Sequence, residues 1–146
     1  MPLLAIQQHQ WGAISDIGRH REQNQDAYFA QSAVVYAESK QVTVGLYLIA
    51  DGMRGGRAGD LASKIVVETC RKSWGEMLCD TEFHCKTDSE FLSWTRGILA
   101  SANAAIIDIA RGNEMGSTAT LCFVMNQHAY FAHIGDSRAY LIDGNQ

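Results

Sequence analysis

The sequence predicts an α+β protein, because its predicted strands and helices occupy separate parts of the chain. Strand-like segments come first, two amphipathic helical patterns follow, and strand-like segments return towards the end. This segregated order favours a layered α+β fold over the alternating strands and helices of a parallel sheet. The chain has 146 residues, 47% of them apolar, and a single proline at position 2. We therefore expect one domain over residues 1–146, without linkers or repeats.

Strands are predicted on both sides of the helices from runs of β-branched and aromatic residues. The first group consists of Trp11–Ser15, Ala27–Tyr36 and Val42–Ala50. The second group consists of Ser117–Met125, His128–Ile134 and Ser137–Ile142. Because only Asn126 and Gln127 separate the first two members of the second group, we expect a tight hairpin there.

Two helices are predicted from apolar residues that recur at spacings of three and four. The first spans Ala58–Leu78, with a predicted core stripe of Leu61, Ala62, Ile65, Val66, Thr69, Cys70, Trp74 and Met77. The second spans Ser89–Arg111, with a stripe of Phe91, Leu92, Thr95, Ile98, Leu99, Ala102, Ala105, Ile106 and Ile109. Gly112 and Asn113 are suitable residues to end it.

The composition of the chain limits which binding partners and which cellular compartment we expect for it. A formal net charge of -4 and no basic patch give no expectation of nucleic acid binding. The chain shows no signal-peptide pattern and no membrane-spanning run, so we expect a cytoplasmic protein without membrane contact. The spacing of Cys70, Cys79, Cys85 and Cys122 fits neither zinc binding nor a redox pair, which predicts reduced thiols.

The segment from Leu46 to Asp60 is the most informative candidate site. An apolar run ends at Asp51, and four glycines follow around the start of the first helical pattern: Gly52, Gly55, Gly56 and Gly59. A carboxylate at the end of a buried strand needs a partner, and glycines let the backbone approach an ion or oxyanion. On the residues alone, the segment fits a divalent metal or phosphate site and a tight strand-to-helix turn about equally.

Two further carboxylates lie beside predicted turns. Asp26 begins the second predicted strand, and Asp136 lies between the last two. Brought together with Asp51 at one sheet edge, they would form an oxygen-rich site suited to Mg²⁺ or Mn²⁺. Taken singly, each is more simply a turn-forming aspartate. Arg21 could bind a phosphate through its planar guanidinium, or could be a solvated surface residue.

Together these residues resemble the metal-dependent protein phosphatases of type 2C, particularly the bacterial members. The segment from Ser15 to Ala27, SDIGRHREQNQDA, is similar to the family motif SDxGxxRxxNEDA. The segment from Ala50 to Ser63, ADGMRGGRAGDLAS, is similar to ADGMGGHxxGExAS. The third match combines GSTA at 116–119 with GDSRAYL at 135–141.

The resemblance implies a four-layer α-β-β-α sandwich of antiparallel sheets with two, in some members three, Mn²⁺ or Mg²⁺ ions at one edge. Asp51 would bridge two ions, with the Gly52 carbonyl on one of them. Asp26 would act through a metal-bound water, and Asp136 would bind a third, weaker ion. Arg21 would bind the phosphate of the substrate. A metal-activated water would then attack phosphorus directly, without a phosphoenzyme.

The chain departs from the family pattern at the candidate site and in its length. Gln25 stands where the family often has Glu, which keeps an oxygen acceptor but removes a charge. Arg54 replaces a glycine beside the Asp51 turn, where it could crowd a metal or assist phosphate binding. The 146 residues end after the GDSR segment, so the sandwich is expected to be truncated after its central strands. The family's C-terminal metal-binding aspartates would then be absent.

The resemblance implies a protein serine/threonine phosphatase that hydrolyses phosphoserine and phosphothreonine and opposes a protein kinase. We expect weak or no activity from this short chain. The main alternative is a non-catalytic, phosphatase-like regulatory module that binds a phosphoprotein. An uncovered apolar sheet face also predicts a homodimer or a strand-swapped assembly, and leaves a small structural module as a third hypothesis.

Overall fold

The computed structural model describes residues 9–19, 23–37, 40–53 and 57–142. In chain order, the described elements are strands β1 (Asp26–Ala37) and β2 (Lys40–Met53), helix α1 (Arg57–Cys79), a short 3-10 turn (Phe83–Cys85), helix α2 (Asp88–Ala110), and strands β3 (Gly116–Ser117), β4 (Ala119–Met125) and β5 (His128–Ile134). The predicted α+β class is confirmed. These residues form one sheet layer and one helix layer of the sandwich that the resemblance implies.

The sheet is antiparallel, with the strand order β1-β2-β4-β5, and the short β3 pairs with the end of β2. The longest pairing joins β1 to β2 over their whole shared length, from Asp26 opposite Asp51 to Ala37 opposite Lys40. The predicted hairpin is confirmed, since Asn126 adopts a positive φ of 56° between β4 and β5. The sheet is therefore built largely from neighbours in sequence, with the helices inserted between β2 and β3.

The two faces of the sheet differ sharply along β2. Leu46, Leu48 and Ala50 are buried, whereas Ile49 and Asp51 between and after them are exposed. This alternation is the period of two that a strand imposes on its side chains. The face that carries Leu46 and Leu48 packs against the helices, and the opposite face, which we call the open face, carries Ile49 and Asp51.

Both helices lie on the same face of the sheet. Helix α1 contacts β1 and β2, α2 contacts β5 and β4, and the two helices contact each other. Edge-to-face and tilted ring pairs connect the helix layer to the sheet, with Phe91 and Phe123 centroids 5.4 Å apart and Phe91 and Tyr130 centroids 5.1 Å apart. This aromatic cluster and the buried aliphatic residues of β2 and β4 form the core.

Helix α2 begins and ends at well-formed caps. The Thr87 side chain accepts a hydrogen bond from the Glu90 amide, and the Glu90 carboxylate accepts one from the Thr87 amide at 2.7 Å. The hydrogen bonds that the Thr87 amide and hydroxyl donate to the Glu90 carboxylate lower its pKa. At the other end Arg111 adopts a left-handed conformation with a φ of 46°, followed by Gly112 at 87°. The predicted stop of the second helix is therefore confirmed.

Two predicted strands are wrong. Trp11–Ser15 and Ser137–Ile142 have no strand structure. The side chains of Ile14, Leu141 and Ile142 are 95%, 88% and 85% exposed, so neither segment lies in a sheet. The residue pattern was suitable for strands, but a strand also needs a neighbouring strand to pair its backbone groups. The predicted strand Ser117–Met125 is also divided, because Thr118 separates β3 from β4.

The predicted core stripes are confirmed except towards their edges. Leu61 in α1 is 44% exposed and Ile109 in α2 is 49% exposed, which contradicts their placement in the core. Leu61 is the first residue of its apolar stripe and Ile109 is the last of its own. The four cysteines are free thiols. Neither helix in the described part of the chain is long and apolar enough to cross a bilayer.

The backbone of α1 approaches the end of β2 too closely for side chains to intervene. A Cβ atom on Gly52 would overlap the carbonyl oxygen of Gly59, and a Cβ on Gly59 would lie 2.8 Å from the Met53 carbonyl oxygen. Two of the glycines in the Asp51 segment are thus required for packing, because any larger residue would separate the helix from the strand end.

We predict that Gly59→Ala destabilises the protein by about 1–3 kcal/mol, because its new methyl group meets backbone that cannot rotate away. Gly75→Ala is the matched control. It lies in the same helix with no atom within 4 Å of its ideal Cβ, so it should be stabilising by up to about 1 kcal/mol. Urea unfolding followed by circular dichroism measures both changes. Equal effects at the two glycines would show that the contact with β2 has no energetic weight.

Candidate functional site

The candidate site is built around two carboxylates on adjacent strands. Asp26 begins β1 and Asp51 lies near the end of β2, and the two are direct partners in the antiparallel register. Cross-strand partners have Cα atoms about 4.5–5.5 Å apart, with side chains on the same face of the sheet. Both residues are exposed on the open face, away from the helices. The structure therefore places two negative charges side by side at one end of the sheet.

The loop that leads into β1 is shaped by its own polar side chains. The Asp16 carboxylate accepts a hydrogen bond from the Gly18 amide at 2.7 Å, and Gly18 has a φ of 73°. Asn24 then joins two parts of the loop, accepting from the Asp26 amide at 3.0 Å and donating to Ser15 Oγ at 2.8 Å. These side-chain turns place Asp26 at the first position of the strand.

The other carboxylate is fixed through its backbone. The Asp51 amide donates to Thr118 Oγ1 at 3.0 Å, and the Asp51 carbonyl accepts from the Thr118 amide at 2.8 Å and from Ser117 Oγ at 3.1 Å. Thr118 is only 2% exposed, and its Oγ1 also shares a hydrogen bond with Ser137 Oγ at 2.8 Å. The break between β3 and β4 thus supplies a side-chain acceptor to the residue that carries the candidate carboxylate.

Two clefts border the carboxylate pair. The larger, of about 270 Å³, is lined by Ile14, Ser15, Asp26, Ala27, Tyr28, Ile49, Ala50, Asp51 and Ser137. The smaller, of about 170 Å³, is lined by Asp16, Ile17, Gln23, Asn24, Gln25, Asp26 and Asp51. Because Asp26 and Asp51 line both, the pair lies between a partly apolar cleft and a polar one.

The structure brings some of the predicted site residues together. Asp26 and Asp51 are neighbours, and Gln25, which is 4% exposed, lines the smaller cleft with them. The Gln25 carbonyl accepts a hydrogen bond from the Gly52 amide at 3.0 Å, so the two motif segments are also joined through their backbones. Asp136 is exposed in the turn after β5, and the next residue, Ser137, lines the larger cleft. The predicted residues Arg21 and Arg54 lie outside the described residues.

The carboxylate oxygens of Asp26 and Asp51 suit a hard divalent cation, but such a cation needs further oxygen ligands besides this pair. Two adjacent carboxylates are oxygen ligands of the kind that Mg²⁺ and Mn²⁺ prefer. Among residues 9–19, 23–37, 40–53 and 57–142, however, no group of three or more His, Cys, Asp or Glu side chains is placed to hold a metal ion. The described residues therefore fit a metal with two carboxylates of its donor set.

A cysteine nucleophile does not suit the open face. Cys122 lies on that face opposite Tyr47, and burial raises the pKa of its thiol to about 11. Burial also raises the pKa of Tyr47, with the neighbouring Cys122 thiol adding to the effect. Since only the thiolate is a good nucleophile, the raised pKa makes Cys122 a poor candidate nucleophile.

Thr118, Ser137 and Asn24 are site residues that sequence reasoning did not assign. All three lie inside the motifs that carry the family resemblance. Membership in a motif was the available signal, but a hydroxyl or amide side chain does not reveal its partner. Thr118, for example, contacts a backbone amide 67 positions away.

Comparison with known proteins agrees with this architecture. The family profile described as Protein phosphatase 2C matches residues 12–146. The chain belongs to the protein phosphatase 2C family.

Individual relatives give the extent of the similarity. The chain is 31% identical over 135 residues to the serine/threonine phosphatase stp of Listeria welshimeri, covering 90% of this chain and 49% of the relative. It is 30% identical over 136 residues to the protein phosphatase PhpP of Streptococcus pneumoniae, covering 91% and 50%. The crystal structure of the serine/threonine phosphatase Stp1 from Staphylococcus aureus superposes with a TM-score of 0.65 at 27% identity, over 91% of this chain and 49% of that one. The chain spans about half the length of the curated relatives it matches.

We predict that Mn²⁺ broadens the NMR signals of the Asp26 and Asp51 amides more strongly than those of the α2 amides, because a paramagnetic ion held by the pair relaxes the nearest nuclei most strongly. Asp51→Asn should weaken the apparent affinity about tenfold or more, since it removes one charged ligand of two. Asp108→Asn, at an exposed carboxylate on α2, is the matched control and should change nothing. Broadening at Asp51 that survives Asp51→Asn would contradict a metal site at the pair.

We also predict that iodoacetamide modifies Cys122 slowly at neutral pH, and progressively faster as the pH rises towards about 11. A raised pKa keeps the reactive thiolate scarce below that value. Cys79 is the exposed reference thiol in the same chain. Peptide mass spectrometry after timed alkylation measures each site separately. Modification of Cys122 as fast as Cys79 at pH 7 would be inconsistent with the raised pKa.

Proposed function

We propose that this protein is a metal-dependent serine/threonine phosphatase that removes phosphate from phosphoserine and phosphothreonine in proteins, opposing a protein kinase. The observation that carries the proposal is the cross-strand pair of Asp26 and Asp51 at the junction of two clefts. Family membership supports the same chemistry. The chain spans about half the length of its phosphatase relatives. Over that length it carries the motifs of the resemblance, and its sheet register places the carboxylates of Asp26 and Asp51 side by side.

In this proposal the chain's own residues bind and orient. Asp26 and Asp51 would hold Mn²⁺ or Mg²⁺ together with the Gly52 carbonyl, and Asp136 would contribute to a further, weaker site. When bound, the ions supply an activated water and neutralise charge on the phosphoryl oxygens. Arg21 would bind the substrate phosphate through its planar fork. Because Gln25 is neutral, the surroundings of the carboxylate pair are less negative than they would be with a glutamate at this position.

The two carboxylate residues are held in place by hydrogen bonds from their backbone amides to neighbouring side chains. Thr118 accepts from the Asp51 amide, and Asn24 accepts from the Asp26 amide. Two like charges side by side repel, and the sheet register and these hydrogen bonds hold the backbone of both residues in place. Such preorganisation is what a metal-assisted phosphoryl transfer requires of its protein.

We propose further that the 146-residue chain has little activity alone, because its described residues supply two carboxylates of a larger donor set. Hydrolysis of p-nitrophenyl phosphate in Mn²⁺ by the purified chain should not exceed that of its Asp51→Asn variant. Substantial hydrolysis that Asp51→Asn abolishes would overturn the weak activity but support the site. Substantial hydrolysis that the variant retains would overturn the assignment of Asp51.

A non-catalytic module that binds a phosphoprotein is the second candidate function. The same incomplete donor set favours it, since a phosphatase of this class needs its metal ions. Calorimetric titration with Mn²⁺ separates the two proposals. No heat of binding up to millimolar metal would favour the non-catalytic module, whereas binding that Asp51→Asn weakens would favour the phosphatase.

Self-association through the open face stays a prediction, as do the structural-module hypothesis and a cytoplasmic location. Tyr28, Ile49 and Phe131 are large, exposed residues on this face, at 46%, 50% and 46%. Tyr28 and Ile49 are cross-strand partners and form one small apolar surface, whereas Phe131 lies on β5, separated from β2 by β4. Light scattering that finds only monomer would weaken both the dimer and the module.

A further inference from the structure

His133 lies where β5 leads into the turn that carries Asp136. In the sheet register it is the direct partner of Thr120 on β4, and its side chain lies on the open face. Both ring nitrogens have partners: Nδ1 lies 2.8 Å from Thr120 Oγ1, and Nε2 lies 2.9 Å from the Gly135 carbonyl oxygen.

The chemistry of these partners fixes the ring tautomer. A backbone carbonyl can only accept, so Nε2 must carry a proton and donate to Gly135. In the neutral ring Nδ1 is then an acceptor, and it receives the hydroxyl proton of Thr120. His133 is thereby held in one orientation and in one tautomer.

The contact with Gly135 holds a turn that has little room to move. Gly135 has a φ of 108°, and a Cβ there would lie 2.7 Å from Thr118 Cγ2. Two residues later Ser137 Oγ shares its hydrogen bond with Thr118 Oγ1. The turn is thus held on one side of Asp136 by His133 and on the other side by Thr118.

Thr118 connects this turn to the carboxylate pair, since its Oγ1 also accepts from the Asp51 amide. We propose that His133 is a positioning residue, which fixes Asp136 relative to Asp51 by donating from Nε2 to the Gly135 carbonyl. It acts through the backbone and does not touch the substrate. The inference rests on the proposed function, because it assigns a role at the same metal-dependent site.

The first test is independent of metal. Long-range ¹H–¹⁵N spectra of the chain at alkaline pH should show His133 as a single Nε2–H tautomer. His133→Phe should accelerate amide hydrogen exchange in residues 135–137, while the amide signals of α1 and α2 keep their positions and report an intact fold. His128→Phe, at an exposed histidine of the same strand, is the matched control. An Nδ1–H or averaging tautomer, or exchange unchanged in His133→Phe, would overturn the proposal.

The second test uses Mn²⁺ and reads two positions of the same chain. His133→Phe should weaken the affinity measured by broadening at the Asp136 amide about tenfold, the lower end of the range for supporting hydrogen bonds around metals. His133→Gln, whose amide can donate from near the Nε2 position, should restore it to within about twofold of the wild-type value. Equal affinities at Asp136 in the wild type and His133→Phe, or no rescue by Gln, would contradict the positioning role.

The two readouts also separate this inference from the proposed function. If Mn²⁺ broadens neither the Asp51 nor the Asp136 signal in the wild type, the proposed metal-dependent function is wrong. The positioning role of His133 is then also wrong, even where the tautomer test succeeds. If Asp51 responds as expected while Asp136 is insensitive to His133, the function survives and the positioning role fails.

Discussion

The register between β1 and β2 is the constraint on which the rest of this structure depends. It places Asp26 opposite Asp51 on the open face, while the alternation of side chains along β2 places Leu46, Leu48 and Ala50 against the helices. A slip of β1 by one residue would turn Asp26 towards the helices and the buried Phe29 away from them, because side chains alternate along a strand. Burial of apolar area on one face therefore stabilises an arrangement of like charges on the other that would not be stable by itself.

The close approach of α1 to the strand end extends the same constraint. Gly52 and Gly59 bring the first turn of α1 against the residue that follows Asp51, so the backbone of the helix layer lies directly against the backbone of the candidate site. The glycines that first indicated an ion site thus have a structural role as well. Close packing and an ion site are compatible explanations for these glycines, because a strand end packed against a helix keeps the backbone of its site residues in a fixed position.

The parts of the fold that were predictable from sequence are those whose signal is local. Both helices and the β4–β5 hairpin follow from spacing and turn residues within a few positions. Trp11–Ser15 and Ser137–Ile142 carried equally good strand patterns, yet a pattern does not contain the partner strand that it needs. For the site, a strand-end aspartate was recognisable at positions 26 and 51. The acceptor that Thr118 provides to Asp51 was not, because it depends on where the chain returns after two helices.

The open face and the carboxylate pair are parts of one surface. Tyr28 and Ile49 are cross-strand partners next to the pair, and both line the larger cleft with Asp26 and Asp51. Anything that covers the apolar residues of this face must also border the cleft and exclude water from one side of it. A lower local dielectric strengthens both the repulsion within the pair and its attraction for a cation. Covering the open face and binding metal at the pair are therefore expected to favour each other, and a chain whose open face is uncovered should bind metal more weakly than the same two carboxylates do in an enclosed site.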